Sequence, residues 1–234
     1  MHEIRMQHPA KNALSTELVT WLDAQLDAAG ASPLLLTGTG DAFSAGLNLK
    51  EVASLEDPEA MCAFVRRMDE LCERLYQHPA PVVVAINGHA IAGGCVLAQC
   101  ADHRVATTSP RARIGLNEVA LGVCFPPKIL GLLRRRLPGH QHERLLLGAA
   151  LYAPHAALEL GLVDELADEV ESVARERLTA LAAHPAPAYA ATKRKLRASA
   201  TLLSEEDERA FREHELGIWT SPEVRARVLA VLGK

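Results

Sequence analysis

Pro81-Val82-Val83-Val84-Ala85-Ile86-Asn87-Gly88-His89-Ala90-Ile91-Ala92-Gly93-Gly94-Cys95 carries three local instructions in one short run. Val82–Ile86 is apolar at every position and rich in β-branched residues. At strand length, with no polar alternation, it reads as a strand buried on both faces. Asn87-Gly88 supplies the turn that ends it. The small residues from Ala90 to Gly94 then lead into Cys95–Cys100, an uncharged run that reads as a buried helix. Small side chains let a ligand approach the backbone, and free N–H groups at a helix start stabilise developing negative charge.

The same logic occurs once more upstream. Pro33 introduces Leu34-Leu35-Leu36-Thr37, a second buried-strand candidate that stops at Gly38-Thr39-Gly40, and Ala42–Lys50 reads as a small-residue loop. Around these runs, Glu3 to Met6 and His103–Thr107 are further strand candidates. Ser15 is an N-cap candidate for a helix to Ala29. Asp57-Pro58-Glu59 opens a long amphipathic helix to Gln77, with Met61, Phe64, Val65, Met68, Leu71, Cys72 and Leu75 at helical spacing. From Glu143 onward the pattern is almost wholly helical. Strand runs alternating with helical patterns argue an α/β architecture with a layered sheet.

The chain of 234 residues has a formal net charge of −4 and an isoelectric point near 6.2. That balance gives no electrostatic footprint for nucleic acid or an anionic membrane, and a small-molecule substrate is the better expectation. Cys62, Cys72, Cys95, Cys100 and Cys124 are an odd set without Cys-x-x-Cys spacing, which suits free thiols in a reducing compartment. The polar start of the chain and the absence of a long apolar run give a cytoplasmic expectation. His140-x-His142 has metal-like spacing but no third ligand nearby, so no metal is assigned. Arg134-Arg135-Arg136 reads as a solvated helix face, Asp102 and Arg104 as a structural pair, His89 as a polar wall beside the second loop, and Trp21 and Trp219 as packing residues.

Together the two loops resemble the crotonase, or enoyl-CoA hydratase/isomerase, family. Phe43–Glu51 is similar to its F-(S/A)-A-G-x-(D/N)-(L/I)-K-E element, and Pro81–Cys95 to its P-V-(I/V)-A-(A/V)-(I/V)-N-G element with the glycines that follow. The resemblance continues through Ala101–Ala106, Ile114–Gly122, Gly148 and Ala157–Asp164, and covers roughly residues 3–200. It implies a crotonase (ClpP-like) fold: layered sheets of repeated ββα units, with a core over residues 1–184 and a helical trimerisation region over 185–234. It also implies an acyl-CoA thioester substrate, coenzyme A entering as part of that substrate with no tightly bound cofactor, and a homotrimer or hexamer.

By the same resemblance the amides of Leu47 and Gly93 form an oxyanion hole and Glu118 is the catalytic acid/base. Ser44, Ala45, Gly46, Asn48, Lys50, Gly94 and Val96 would contact substrate. The hydratases of the family resemble a two-carboxylate machine. Here Val96 stands at the first carboxylate position and only Glu118 is retained. Valine can neither accept a proton nor orient water, and the local sequences are similar to the 3,2-trans-enoyl-CoA isomerases. The reading is therefore a 3-enoyl to 2-enoyl shift by one glutamate, its carboxyl raised by burial among Ile114, Leu116, Val119 and Leu121. Hydration, decarboxylation or thioester hydrolysis through the same oxyanion hole stay open, as does a weakly catalytic CoA-thioester-binding protein. Phe125-Pro126-Pro127 replaces a glycine-rich loop of the family, so the acyl pocket is expected to differ.

Overall fold

The computed structural model describes residues 1–200, 202 and 204–233. The chain begins with β1 (His2–Met6), a short turn α1 (Pro9–Asn12), α2 (Thr16–Ala29), β2 (Leu34–Gly38) and β3 (Ala42–Ser44). Next come α3 (Leu49–Ser54), α4 (Pro58–Tyr76), β4 (Val82–Ile86), β5 (His89–Ile91) and α5 (Gly93–Gln99). They are followed by β6 (His103–Thr107), β7 (Ile114–Gly115), α6 (Glu118–Leu121), α7 (Pro127–Arg136), α8 (Pro154–Glu159), β8 (Glu165–Ala167) and α9 (Val170–Ala182). The C-terminal part holds α10 (Ala186–Arg197), α11 (Glu205–Ala210), α12 (Leu216–Trp219) and α13 (Pro222–Val231).

The expected helix starts obey their capping chemistry. Ser15 Oγ accepts from Leu18 N, and the Asp57 carboxylate accepts from Glu59 N and Ala60 N with Pro58 in the first turn. β2 and β4 are buried at every residue because both faces of their sheet are covered. That sheet is parallel, in the order β1-β2-β4-β6-β8. Leu34, Leu36, Val82 and Val84 enter the main core, whereas Leu35, Val83, Ala85 and Val105 face the other way, onto Val170, Ala174 and Leu178 of α9. The alternation follows from the period of two along a strand.

A second parallel sheet, β3-β5-β7, lies one step further along each crossover. The pairs β2-β3, β4-β5 and β6-β7 each feed a helix, which gives the repeated ββα units. Two sequence readings are corrected here. Ala42–Lys50 is not all loop, since Ala42–Ser44 is a strand and Asn48 Oδ1 caps α3 by accepting from Lys50 N and Glu51 N. The stretch after Glu143 is not all helix, since Glu165–Ala167 pairs with β6. Strands this short have no periodicity to read and form because a neighbour remote in sequence offers its ladder.

The C-terminal end of α5 is closed by cations. Arg136 donates to Gln99 O (3.0 Å) and Ala101 O (2.8 Å), and Arg197 donates to Cys100 O (3.1 Å) and to the Tyr76 carbonyl. Asp102 takes Arg197 Nη2 and Lys193 Nζ, each at 2.7 Å. Asp102 therefore pairs with α10 rather than with Arg104, which instead forks onto Asp164 at 2.8 and 2.7 Å. Of the arginine triplet only Arg134 and Arg135 are exposed; Arg136 turns inward because the last carbonyls of α5 need donors.

The C-terminal helices pack on their own chain. Phe211, Trp219, Val224 and Val228 form one apolar cluster with Val52, Met61, Phe64 and Val65. Cys72, Cys95 and Cys100 are buried, Cys62 and Cys124 half-buried, and all five thiols are free.

Candidate active site

Three loops leave the C-terminal ends of β3, β5 and β7 side by side, the usual place for a ligand in a parallel sheet. The first is anchored by α1, whose residues Ala10, Lys11 and Asn12 all have positive φ. Lys11 O accepts from Ala45 N (3.0 Å), Asn12 O accepts from Ser44 Oγ (2.8 Å), and Asn12 Nδ2 donates to Phe43 O (3.1 Å). Three consecutive left-handed residues without glycine are strained, and these bonds to the loop hold them. The buried Asn12 was not singled out from the sequence, where the available signal was an asparagine between the first strand and the Ser15 cap.

Leu14 then fixes the direction of the loop. Its N–H donates to Gly46 O (2.7 Å) and its carbonyl accepts from Asn48 N (3.0 Å). The intervening Leu47 is the partner in this isolated parallel bridge, so its own N–H points away from Leu14. Gly46 has φ +88°, and a Cβ there would lie 2.7 Å from Ile91 O and 3.4 Å from Gly93 N. The two loops interlock at this point. Ala92 caps α5 with φ 48° and ψ −124°, a conformation that turns the Gly93 N–H outward from the helix. Among the described residues, neither the Leu47 nor the Gly93 amide donates a hydrogen bond.

Leu47 and Gly93 both line a cavity of 590 Å³ whose walls include Ala45, Asn48, Lys50, Phe64, Met68, Asp69, Val96, Glu118, Phe125 and Trp219. Lys50 is exposed at its rim. Not every residue expected at the substrate reaches it. The Ser44 hydroxyl is spent on Asn12 O and accepts from Gly46 N. Gly94 backs onto Ser44, where a Cβ would lie 2.5 Å from Ser44 O. Ser44, Gly46 and Gly94 thus shape the wall from behind. His89 is turned elsewhere, its Nδ1 accepting from Arg113 N. Trp219, read as packing alone, closes the cavity from the C-terminal region.

Glu118 opens α6 and is 7% exposed, and among the described residues its Oε2 has no partner. Burial pushes its carboxyl up to about 8, while its own backbone amide pulls the other way. The expected burial partners need correction: Ile114 and Leu116 are buried, but Val119 is 38% exposed. A helix of one turn cannot bury all its faces, and the apolar walls of the cavity do the rest. Asp69, unremarked in the sequence, brings a second carboxyl to the same cavity.

Two backbone donors and an unpaired, proton-holding carboxyl around an apolar chamber can stabilise an oxyanion and move a proton beside it. Among the described residues no group of three or more His, Cys, Asp or Glu could hold a metal ion, and no helix is long and apolar enough to cross a membrane.

The solved structure of human mitochondrial delta3-delta2-enoyl-CoA isomerase superposes with a TM-score of 0.90 at 29% identity, covering 99% of this chain and 92% of that one. A probable enoyl-CoA hydratase of Mycobacterium tuberculosis gives 0.78 at 33% identity, covering 99% and 90%. In sequence, mouse mitochondrial enoyl-CoA delta isomerase 1 is 34% identical over 83% of this chain and 69% of its own length. The human protein of that name is 34% identical over 76% of this chain and 60% of its own length, so the alignment leaves two fifths of that relative unmatched. A probable enoyl-CoA hydratase of Bacillus subtilis is 35% identical over 77% and 70%. The family model described as enoyl-CoA hydratase/isomerase matches residues 1–224. With the family model matching residues 1–224 and a solved relative superposing over 99% of its length, the chain belongs to the enoyl-CoA hydratase/isomerase family.

Proposed function

We propose that the protein moves the double bond of a 3-enoyl-CoA to the 2-position, with Glu118 as the one acid/base. The Glu118 carboxylate takes a proton from C2 of the thioester. The electron pair of that C–H bond delocalises onto the thioester oxygen, which the Leu47 and Gly93 amides hold. The same carboxyl then returns the proton to C4, the C3–C4 double bond becomes C2–C3, and nothing is consumed. Ala45, Asn48 and Lys50 would border the coenzyme A portion.

The observation that carries this reading is a single one: Glu118 is buried and unpaired in the cavity, and the position facing it in a two-carboxylate site is Val96, 4% exposed. A base whose conjugate acid sits near 8 is matched to carbon-acid chemistry near neutral pH. A second reading, hydration, draws on the bacterial relative's name, but Val96 leaves water without its second carboxylate. The C-terminal helices and the exposed Leu147, Leu158, Leu196 and Ile218 fit assembly as a homotrimer or hexamer.

The test is turnover of 3-hexenoyl-CoA and, separately, 2-hexenoyl-CoA, with Glu118→Gln beside the natural sequence. Conversion of the 3-enoyl ester that collapses in the variant, with little water added to the 2-enoyl ester, is the expected result. Brisk hydration of the 2-enoyl ester would overturn the one-carboxylate reading.

A further inference from the structure

The geometry points to Asp69 as the residue that reads the acyl chain, and to a preferred substrate bearing a hydroxyl on the part of the chain that lies against α4. This rests on the enoyl-CoA reading above. α4 presents Phe64, Val65, Met68, Asp69 and Cys72 to the cavity, spacings that place them on one helix face. Four are apolar, as an alkyl chain requires. The fifth is a carboxylate.

Among the described residues the Asp69 Oδ1 has no hydrogen-bond partner, and it is shut off from solvent. The nearest cation, Lys128 on α7, is taken by Glu73, with Nζ 2.9 Å from Oε2. Burial raises the Asp69 carboxyl to about 7, against the pull of Lys128 and with Glu73 and Glu70 adding to the rise. Buried polar groups without partners are rare in native folds, and each calls for a reason.

Asp69 stands where α4 meets α7. The Glu73–Lys128 ion pair joins the two helices one turn further on, and Met68, Cys72, Pro126 and Ile129 line the cavity with it. That wall is apolar surface of the kind an acyl chain covers.

What would pair with it follows from its chemistry. A hydroxyl donates to the carboxylate and equally accepts from the protonated acid, so it satisfies Asp69 in both states. An acyl chain ending in a carboxylate would be repelled. A plain alkyl chain would cover the other carboxyl oxygen, Oδ2, as well without giving it a partner, which lowers affinity.

The experiment uses four ten-carbon 3-enoyl-CoA esters: 3-decenoyl-CoA and the same ester hydroxylated at C6, C8 or C10. For the natural sequence, at least one hydroxylated ester should exceed 3-decenoyl-CoA in kcat/KM by about tenfold, the scale of one hydrogen bond to a charged group. Asp69→Leu should reverse the order by raising kcat/KM for 3-decenoyl-CoA, and Asp69→Asn should keep a reduced preference. Glu118→Gln should stop turnover of all four. Equal use of the four esters, or a hydroxyl preference that survives in Asp69→Leu, overturns the proposal. If no ester turns over, the isomerase reading fails on its own. Calorimetric dissociation constants for decanoyl-CoA and its C6, C8 and C10 hydroxylated forms then decide the Asp69 preference without catalysis.

Discussion

Replacing Glu118 by glutamine should stabilise the protein while abolishing its activity, and the size of the gain should depend on pH. In the folded chain burial raises the carboxyl from its ordinary 4.5 to about 8. Between those values the folded protein keeps a proton that the unfolded chain has released. The stability associated with Glu118 is therefore fully present below pH 4.5, falls as pH rises, and levels off above about 8. Each pH step within that window costs about 1.4 kcal/mol. From 4.5 to 7 the loss is about 3 kcal/mol, and by pH 8 about 4 kcal/mol. Glutamine is neutral throughout and has nearly the same shape. The stability gap between Glu118→Gln and the natural sequence should thus widen from under about 1 kcal/mol at pH 5 to about 3 kcal/mol at pH 7. Guanidinium unfolding at fixed protein concentration reads it as a shift of midpoint at constant slope. Asp69 titrates in both proteins and cancels from the comparison. A gap of equal size at pH 5 and pH 7 would mean that Glu118 folds without holding its proton.

The same carboxyl sets the pH dependence of catalysis: kcat/KM for 3-hexenoyl-CoA should rise about tenfold per pH unit at low pH and flatten above about 8, and a profile already flat from pH 5 would contradict it. Gly46→Ala places a Cβ 2.7 Å from Ile91 O at a φ of +88°. It should cost about 1–3 kcal/mol of stability and lower kcat more than it raises KM, because the Leu47 amide is displaced; steady-state kinetics with a melting curve check both. Arg197→Met strips donors from Tyr76 O, Cys100 O and Asp102. A loss of about 3–5 kcal/mol in chemical denaturation is expected, against no loss if that network were solvated. In Val96→Glu a carboxylate enters a 4% exposed position; water addition to 2-hexenoyl-CoA should become detectable by product analysis, and its absence would show that a second acid alone does not make a hydratase site here.

By itself the sequence determined the elements long enough to carry a period and the signals that bound them. Leu34–Thr37 and Val82–Ile86 are strands because their runs are apolar enough to be covered on both sides, whereas His103–Thr107 has half-buried polar ends and buries only Arg104, Val105 and Ala106. Ser15 and Asp57 start helices through bonds to amides two or three residues on. Glu118, the Leu47 loop and the Gly93 loop were legible because a motif keeps their order along the chain.

Tertiary structure alone decided β3, β5, β7 and β8, since two- and three-residue strands take their hydrogen bonds from partners the local sequence does not contain. It also decided which of the motif's residues face the chamber and which, like Ser44 and Gly94, hold the wall from behind. Asp69 reads in sequence as the polar flank of an amphipathic helix, between Met68 and Leu71. Only the approach of α7 and the three loops turns that flank into the inside of a cavity. Arg136 reads as one of three surface arginines until the end of α5 arrives with carbonyls that need donors. Periodicity reports which side of an element is apolar; what comes to lie against that side is fixed by the rest of the chain.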